Sequence, residues 1–484
     1  MISLRNILTA VVLSAAWLAS CSGSLIAADA EPSRPNFIVI FCDNLGYGDI
    51  GCFGSTLHRT PHVDRMAEEG RKFTSFYVSS GVCTPSRASL MTGCYPRRVN
   101  MQVSDIGGPV LQPISPKGLN PKEVTIAEVL KTRGYATAII GKWHLGDQPR
   151  FLPTRQGFDY YFGIPYSDDM TPRPRGKRKL WPPLPLLENE RVIDAPVDRN
   201  LLTKRTTEKA VAFIKRNKDR PFFLYFPQTM PGSTRAPFSS KAFRGKSKNG
   251  PYGDSVEEID WSTGQLLSTL KELGLDQNTL FLWTSDNGAP RRNPPQGHNT
   301  PLGGWGYTTW EGGMRVPCVV RWPGHVPAGT ICDELTCTMD LLPTFARLAG
   351  AKIPRDRIID GKDISPLLLG VAGVKSPHKA YYYYQGNQLQ AVRSGKWKLH
   401  LPIRYRAWGQ RRAPKKPRPA ALFDLSSDIG ETTNVADKHP DVVARLSKLA
   451  ENARQDLGDG DRKGAHQRPA GWVKNPQPLV LETP

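Results

Sequence analysis

Four short stretches of this chain carry residue types that together could move a charged group between oxygen atoms. The first, Gly81-Val82-Cys83-Thr84-Pro85-Ser86-Arg87, sets a thiol and a guanidinium four positions apart, just ahead of a short apolar run that can form a helix. On a helix those two residues share a face, Cys83 can do nucleophilic work, and the helix N-terminus favours an anion beside it. The second, Gly141-Lys142-Trp143-His144, follows an apolar run. If the strand continues, Lys142 and His144 leave it with period two and face one side, which joins a cation to an acid–base group. The third and fourth are Asp43-Asn44 and Asp286-Asn287, each just beyond an apolar run. Carboxylate and amide oxygens suit a hard cation, calcium or magnesium, which would draw charge from an anionic substrate. Taken singly, these are a buried thiol, a solvated lysine, a structural histidine and two Asx turns or caps. Taken together they are the parts that sulfuryl and phosphoryl transfer both need.

The elements that must hold these residues are legible as an α/β pattern, with short apolar runs alternating with amphipathic stretches. Residues 36–41 read as a strand ending at Asp43, 136–140 as a strand ending at Lys142, 222–226 as a third and 280–283 as a fourth ending at Asp286. Residues 124–133 and 256–273 read as helices stopped by Gly134 and Gly274. The chemistry-bearing residues thus lie just past strand ends, where open α/β sheets bind ligands. A catalytic domain is expected over 34–376 and a smaller C-terminal subdomain over 377–484. The latter has strands in 380–384, 390–393 and 397–400 and a last helix over 440–457.

Residues 1–30 read as an export signal: Arg5, an apolar run over 7–18, then small residues. Two cleavage readings compete. Leu18-Ala19-Ser20-Cys21 resembles a bacterial lipobox, which would lipidate Cys21 and tether the protein to a membrane; ordinary cleavage between 27 and 30 is the alternative. The apolar run is too short to span a bilayer reliably, so the expected location is periplasmic or extracellular, with or without that anchor. Export permits disulfides, yet the eight cysteines show no small-scaffold spacing and no paired CxxC pattern; most read as buried free thiols. A formal charge of +21 attracts polyanions, either nucleic acid or a sulfated or carboxylated polysaccharide. The loops over 171–179 and 411–418, rich in Pro and basic residues, are a rim for such a partner or simply solvated.

The segment over 81–93 resembles the signature of the type I sulfatases, in which a separate maturation enzyme oxidises the cysteine to formylglycine (3-oxoalanine). Gly134-Tyr135-Ala136-Thr137-Ala138-Ile139-Ile140-Gly141-Lys142-Trp143-His144 resembles the family's second signature. The likeness extends through Asp43-Asn44-Leu45-Gly46-Tyr47-Gly48-Asp49, Trp310-Glu311-Gly312-Gly313-Met314-Arg315-Val316-Pro317 and Leu422-Phe423-Asp424-Leu425. It is strongest to the arylsulfatase A and N-acetylgalactosamine-6-sulfatase branch. The resemblance implies an alkaline-phosphatase-like fold, a large mixed β-sheet flanked by helices with a small C-terminal antiparallel sheet. It implies calcium, with magnesium as the alternative, held by Asp43, Asn44, Asp286, Asn287 and the converted Cys83. It implies that Arg87 supports the nucleophile's oxygens, that Lys142 holds the sulfate, and that His144 removes the proton that starts sulfate release. One hydroxyl of the hydrated aldehyde attacks sulfur; the second then loses its proton as sulfate is expelled.

Three positions depart from the family pattern. Asn44 stands where many relatives have aspartate. The stretch over 228–235, with Gly232, lacks the histidine common after the third strand, and Gly306 stands where a lysine is common five residues before Glu311. Arg235, Gln228 and His298 are candidates to take over the sulfate contacts. The resemblance therefore implies a hydrolase for a sulfate ester, on a small molecule or a sulfated polysaccharide. Two alternatives stay open: a phosphodiesterase or phosphonate hydrolase on the same fold, and a polyanion-binding homologue that has lost turnover. A nucleic-acid partner is opposed by export and by the cysteine motif. Truncating Arg87 or Lys142 is expected to cost turnover and not folding.

Overall fold

β1 (Asn36–Asp43) sets the layout, because all eight of its residues are buried. Its side chains alternate between two faces: Phe37, Val39 and Phe41 enter one hydrophobic cluster, Ile38, Ile40 and Cys42 the other. A strand apolar on both faces needs cover on both, and helices supply it. The structure, a computed structural model, describes residues 34–172, 181–293, 295–403 and 416–481. The export signal with Cys21 and most of the two basic loops lie outside the described residues.

The further strands of the main body are β2 (Arg71–Tyr77), β3 (Lys117–Gly118), β4 (Ala136–Ile140), β5 (Tyr160–Gly163), β6 (Leu186–Glu188) and β7 (Arg191–Asp194). They continue with β8 (Phe222–Pro231), β9 (Thr279–Ser285), β10 (Arg315–Arg321), β11 (Thr330–Cys332) and β12 (Thr336–Cys337). All but β3 join one sheet in the order β11-β2-β10-β9-β1-β8-β4-β5-β6-β7, with β12 beside β2. Its centre, β9-β1-β8-β4-β5, is parallel. β10 and β6 join antiparallel, so the sheet is mixed. Helices Pro61–Glu68, Leu202–Arg216 and Gly250–Glu272 cover one face; Cys83–Thr92, Ile126–Lys131 and Leu341–Leu348 cover the other. On that second face Phe37 stacks between Tyr135 and Phe345, with ring centroids at 5.6 and 4.4 Å; burial of such a ring contributes about 1.5–3 kcal/mol.

Several boundaries differ from the sequence-based expectation. The helix expected from 256 starts at Gly250, because Gly250-Pro251-Tyr252-Gly253 looks like a turn, while a proline in a first helical turn loses no hydrogen bond. The helix expected over 124–133 is shorter: Thr125 and Glu128 close a reciprocal capping box at its start. β8 runs five residues past the apolar run that announced it, and β1 pairs with it as far as Pro231.

A second, antiparallel sheet is made of β13 (Tyr381–Gln385), β14 (Gln388–Ser394), β15 (Trp397–His400) and β16 (Ala421–Asp424), in that order. Helix Pro440–Leu457 packs on it. A buried charge network ties this sheet to the large one. Lys398 Nζ donates to Glu311 Oε1 at 2.9 Å and lies 2.8 Å from Glu431 Oε1. His400 Nε2 donates to Glu431 at 2.6 Å, and Glu431 accepts from the Glu311 backbone N–H at 2.6 Å. Tyr383 of β13 and Tyr77 of β2 both donate to Glu311. The seven cysteines among the described residues are free thiols, and only Cys52 is not fully buried. Among the described residues no helix is long and apolar enough to cross a membrane.

Candidate active site

β1 and β9 lie side by side, with Cys42 opposite Ser285, so the next residues of both strands meet. The Asp286 N–H donates to the Cys42 carbonyl at 2.9 Å, and the Asn44 N–H donates to Asp286 Oδ1 at 3.0 Å. Asn44 turns the chain with φ of 62°, a left-handed conformation that asparagine tolerates better than most residues. Its Oδ1 accepts from Asn287 Nδ2 at 2.7 Å, and its Nδ2 donates to Ser233 Oγ at 3.0 Å. Asp43, Asn44, Asp286 and Asn287 thus form one contiguous, solvent-free group.

Cys83 opens helix Cys83–Thr92, whose ten residues are all buried. Its Sγ donates to Asp43 Oδ1 at 3.2 Å. One turn on, Arg87 donates from Nη2 to Asp43 Oδ1 at 3.1 Å and to Asp286 Oδ2 at 2.7 Å. Its Nε also donates to Asp286 Oδ2, at 3.1 Å, and its Nη1 to the Lys142 carbonyl at 3.0 Å. All three guanidinium nitrogens are therefore committed. Arg87 ties the two carboxylates to the Lys142 loop.

Lys142 and His144 arrive by a different route from the one their spacing suggests. β4 ends at Ile140, and Gly141 has φ of 131°, where a Cβ would lie 1.8 Å from the Pro227 carbonyl oxygen. Backbone bonds beyond the strand place the next residues: Lys142 N–H to the Pro227 carbonyl at 2.9 Å and His144 N–H to the Pro165 carbonyl at 3.0 Å. His144 has φ of 62°, so period-two alternation does not apply there. Lys142 Nζ donates to Asp43 Oδ1 at 2.7 Å and to Ser167 Oγ at 3.3 Å. Thr84 Oγ1, beside Cys83, donates to the His144 carbonyl at 3.0 Å. His144 Nε2 faces the Leu111 carbonyl at 3.0 Å. A carbonyl can only accept, so the proton sits on Nε2 and Nδ1, buried and without a partner, offers a lone pair. Burial, then Lys142, holds this imidazole well below its usual pKa, so it is neutral.

The same burial organises the charges. It pushes Asp286 up to about 7, with Asp43 adding to it against Arg87 and Lys142. In Asp43 burial acts in the same sense, but Lys142 and Arg87 outweigh it and keep that carboxylate ionised. Burial, then Asp286 and Asp43, drives the Cys83 thiol far above its usual range. Asp43 Oδ2 and Asn287 Oδ1 are buried with no partner. Ligand atoms of Asp43, Cys83 and Asp286 all lie within 4.8 Å of one another. Two adjacent carboxylates, amide oxygens and unsatisfied acceptors fit a hard divalent ion.

The sulfatase family profile matches residues 35–351, and the profile for the C-terminal region of aryl-sulfatase matches residues 376–475. This chain belongs to the sulfatase family. It is 40% identical to arylsulfatase A of Homo sapiens over 88% of this chain and 89% of that protein. It is 38% identical to steryl-sulfatase of Mus musculus over 92% of this chain and 87% of that protein. Its fold superposes on that of Ps i-CgsB in complex with k-i-k-neocarrahexaose with a TM-score of 0.73, at 29% identity, covering 90% of this chain and 95% of that one. The enzyme is a sulfuric ester hydrolase, built on a large mixed sheet flanked by helices with a small antiparallel sheet at its C-terminus.

At the two glycine departures from the family pattern this sulfatase has no room for a side chain. Gly232 has φ of 70°, its N–H donates to the Asp43 carbonyl at 3.0 Å, and a Cβ there would lie 2.7 Å from Asp168 Oδ1. A Cβ at Gly306 would lie 2.2 Å from the Gly288 carbonyl oxygen. Gln228 is buried at the end of β8 with neither amide atom partnered. Arg235 is exposed, and His298 is held by its backbone to Asp49 and Gly48. Among the described residues no hydrogen bond or ion pair joins the side chain of either to the cluster. Other residues, which no motif had singled out, stand there instead. Arg292 Nη2 donates to the Ser233 carbonyl at 2.6 Å. The Tyr307 N–H donates to the Gly81 carbonyl at 2.9 Å, while its hydroxyl bonds to Ser233 and its pKa is raised by burial and by nearby Cys83. Tyr307 follows Gly306 and Ser233 follows Gly232, which were the available sequence signals; Arg292 had none.

Proposed function

We propose that this sulfatase is exported, carries formylglycine at position 83, binds calcium and desulfates a sulfated carbohydrate. The observation that carries the proposal is the state of Cys83. A thiol buried against Asp43 and Asp286 keeps its proton, and the thiolate, not the thiol, is the nucleophile. Formylglycine supplies a hydrated aldehyde, whose hydroxyl attacks without a thiolate. Calcium, held by Asp43, Asn44, Asp286 and Asn287, would supply Lewis-acid polarisation of the sulfate. The chain's own residues do the rest. Lys142, kept charged by Asp43 against the effect of burial, neutralises sulfate oxygens. His144, with its free Nδ1, takes a proton. Arg87 holds the carboxylates in place.

Three sequence features support the remaining parts. Residues 1–30 have the form of an export signal, and Cys21 is the proposed lipid anchor. The charge of +21 favours a polyanionic substrate, and the similar Ps i-CgsB structure is a complex with k-i-k-neocarrahexaose. Mass analysis of the tryptic peptide over residues 73–87, from protein coexpressed with a maturation enzyme, should show an aldehyde reactive to hydrazides. Cys83→Ala should abolish sulfate release. An ordinary thiol at position 83 in fully active enzyme would contradict the proposal. Faster turnover of a matching phosphate diester would replace the sulfate ester as the substrate.

A further inference from the structure

Breaking a sulfate ester leaves charge on the departing oxygen. When the alcohol is as basic as a sugar hydroxyl, a proton must reach that oxygen as the bond breaks. The residues of the two signature motifs and the two family-departing glycines do not deliver it. Lys142 is ion-paired with Asp43 at 2.7 Å. Arg87 is fully committed, His144 is neutral with its Nε2 proton donated to the Leu111 carbonyl, and Gly232 and Gly306 have no side chain to offer.

Asp168 follows Ser167, the hydroxyl that accepts from Lys142. It is fully buried, and neither of its carboxyl oxygens has a hydrogen-bond partner. Arg199, the nearest paired cation, is 4.0 Å from Oδ2 and gives its hydrogen bond to the Asp168 backbone carbonyl at 3.1 Å instead. Oδ1 fills the space beside Gly232, whose N–H is bonded to Asp43. The bare carboxyl therefore sits against the ends of β1 and β8, on the Lys142 side of the site. A buried polar group left unsatisfied is destabilising, and a ligand atom would relieve it.

We infer that Asp168, in its protonated form, is the acid that delivers a proton to the leaving oxygen of the sulfate ester. The step rests on the sulfatase reading. The sulfur–oxygen ester bond breaks with its electron pair on the oxygen, and the Asp168 O–H proton joins that oxygen and releases the alcohol. The attacking hydroxyl at position 83 forms the new bond to sulfur and gives its proton to solvent, and solvent returns one to the Asp168 carboxylate. The charged groups facing Asp168 are Asp169 on its own loop, Asp43 at the end of β1, Lys142 after β4 and Arg199 ahead of helix Leu202–Arg216. Burial, then Asp169 and Asp43, pushes its carboxyl up to about 7, against Lys142 and Arg199. It therefore keeps its proton below neutral pH, holds it in only part of the molecules near neutrality and loses it as pH rises further.

The test compares full-length mature enzyme with Asp168→Asn on 4-nitrophenyl sulfate, phenyl sulfate and a monosaccharide sulfate. The loss in kcat/KM should steepen with the basicity of the leaving group, reaching about 10²–10⁴-fold on the sugar ester and less than a tenth of that on the nitrophenyl ester. Asp168→Glu should recover part of the sugar-ester activity. In the wild type alone, the dependence of rate on leaving-group basicity should be shallow near about pH 6 and steep near about pH 9, a comparison that needs no variant to fold. An equal loss on all three esters, or equal wild-type slopes at both pH values, would overturn the role of Asp168 while leaving the sulfatase reading intact. No turnover of any ester by the wild type would overturn both.

Discussion

Asp43 accepts from Cys83, Arg87 and Lys142 through a single oxygen, Oδ1, and leaves Oδ2 bare. The protein thus uses one side of the carboxylate to hold its cations and keeps the other for a ligand. Lys142→Met leaves Asp43 still paired with Arg87, so it should fold and lose turnover by about 10²-fold or more, the loss typical of an electrostatic group at developing charge. Arg87 is different. Removing it leaves the buried Asp286 with no paired cation, while Asp43 keeps Lys142, and breaking a buried pair costs about 3–5 kcal/mol. Arg87→Ala should therefore lower the urea midpoint as well as the rate, whereas sequence alone suggested a loss of rate only. Cys83, Arg87, Lys142, His144 and the two Asp-Asn pairs were legible because each sits in a dense local motif. Asp168, Ser233, Arg292 and Tyr307 were not, because loops from distant parts of the chain bring them together and loop spacing carries no period.

Strands and helices were read well where burial imposes a period and poorly where backbone bonds beyond a strand take over, as at Lys142 and His144. The tie between the two sheets was invisible, although one acidic member, Glu311, lies in the quoted Trp310-Glu311-Gly312-Gly313 stretch. Lys398 is the cation both carboxylates share, so Lys398→Met should cost about 3–5 kcal/mol of stability, seen in urea unfolding. The same tie makes folding sensitive to acid. Burial, then Lys398, holds His400 down to about 4, against its bond to Glu431; unfolded, it titrates near about 6.5. Between those values the unfolded chain binds the extra proton, so stability is full above about 6.5 and falls as pH drops toward 4. The loss from this residue should approach about 3 kcal/mol, and His400→Gln should flatten that part of the pH dependence.

Across the whole molecule, two solution conditions should act on separate properties. Chelation should remove activity and lower the thermal midpoint together, because an ion that binds only the folded state stabilises it by about 2.7 kcal/mol at 100-fold excess over its Kd; added calcium should restore both. Salt should act on the +21 charge. KM for a sulfated polymer should rise steeply with ionic strength, while KM for a small aryl sulfate should change far less. The burial of Cys83 reaches furthest. Only 4% of it is exposed, and no residue of its helix is open to solvent. A second enzyme cannot grasp a sulfur so enclosed, so the proposed conversion belongs to the unfolded chain and must precede closure of the sheet around it. A molecule that folds first becomes a stable, permanently silent copy. Mature enzyme should regain activity after denaturation and renaturation, whereas renatured cysteine-bearing protein should stay inert even when the maturation enzyme is supplied afterwards.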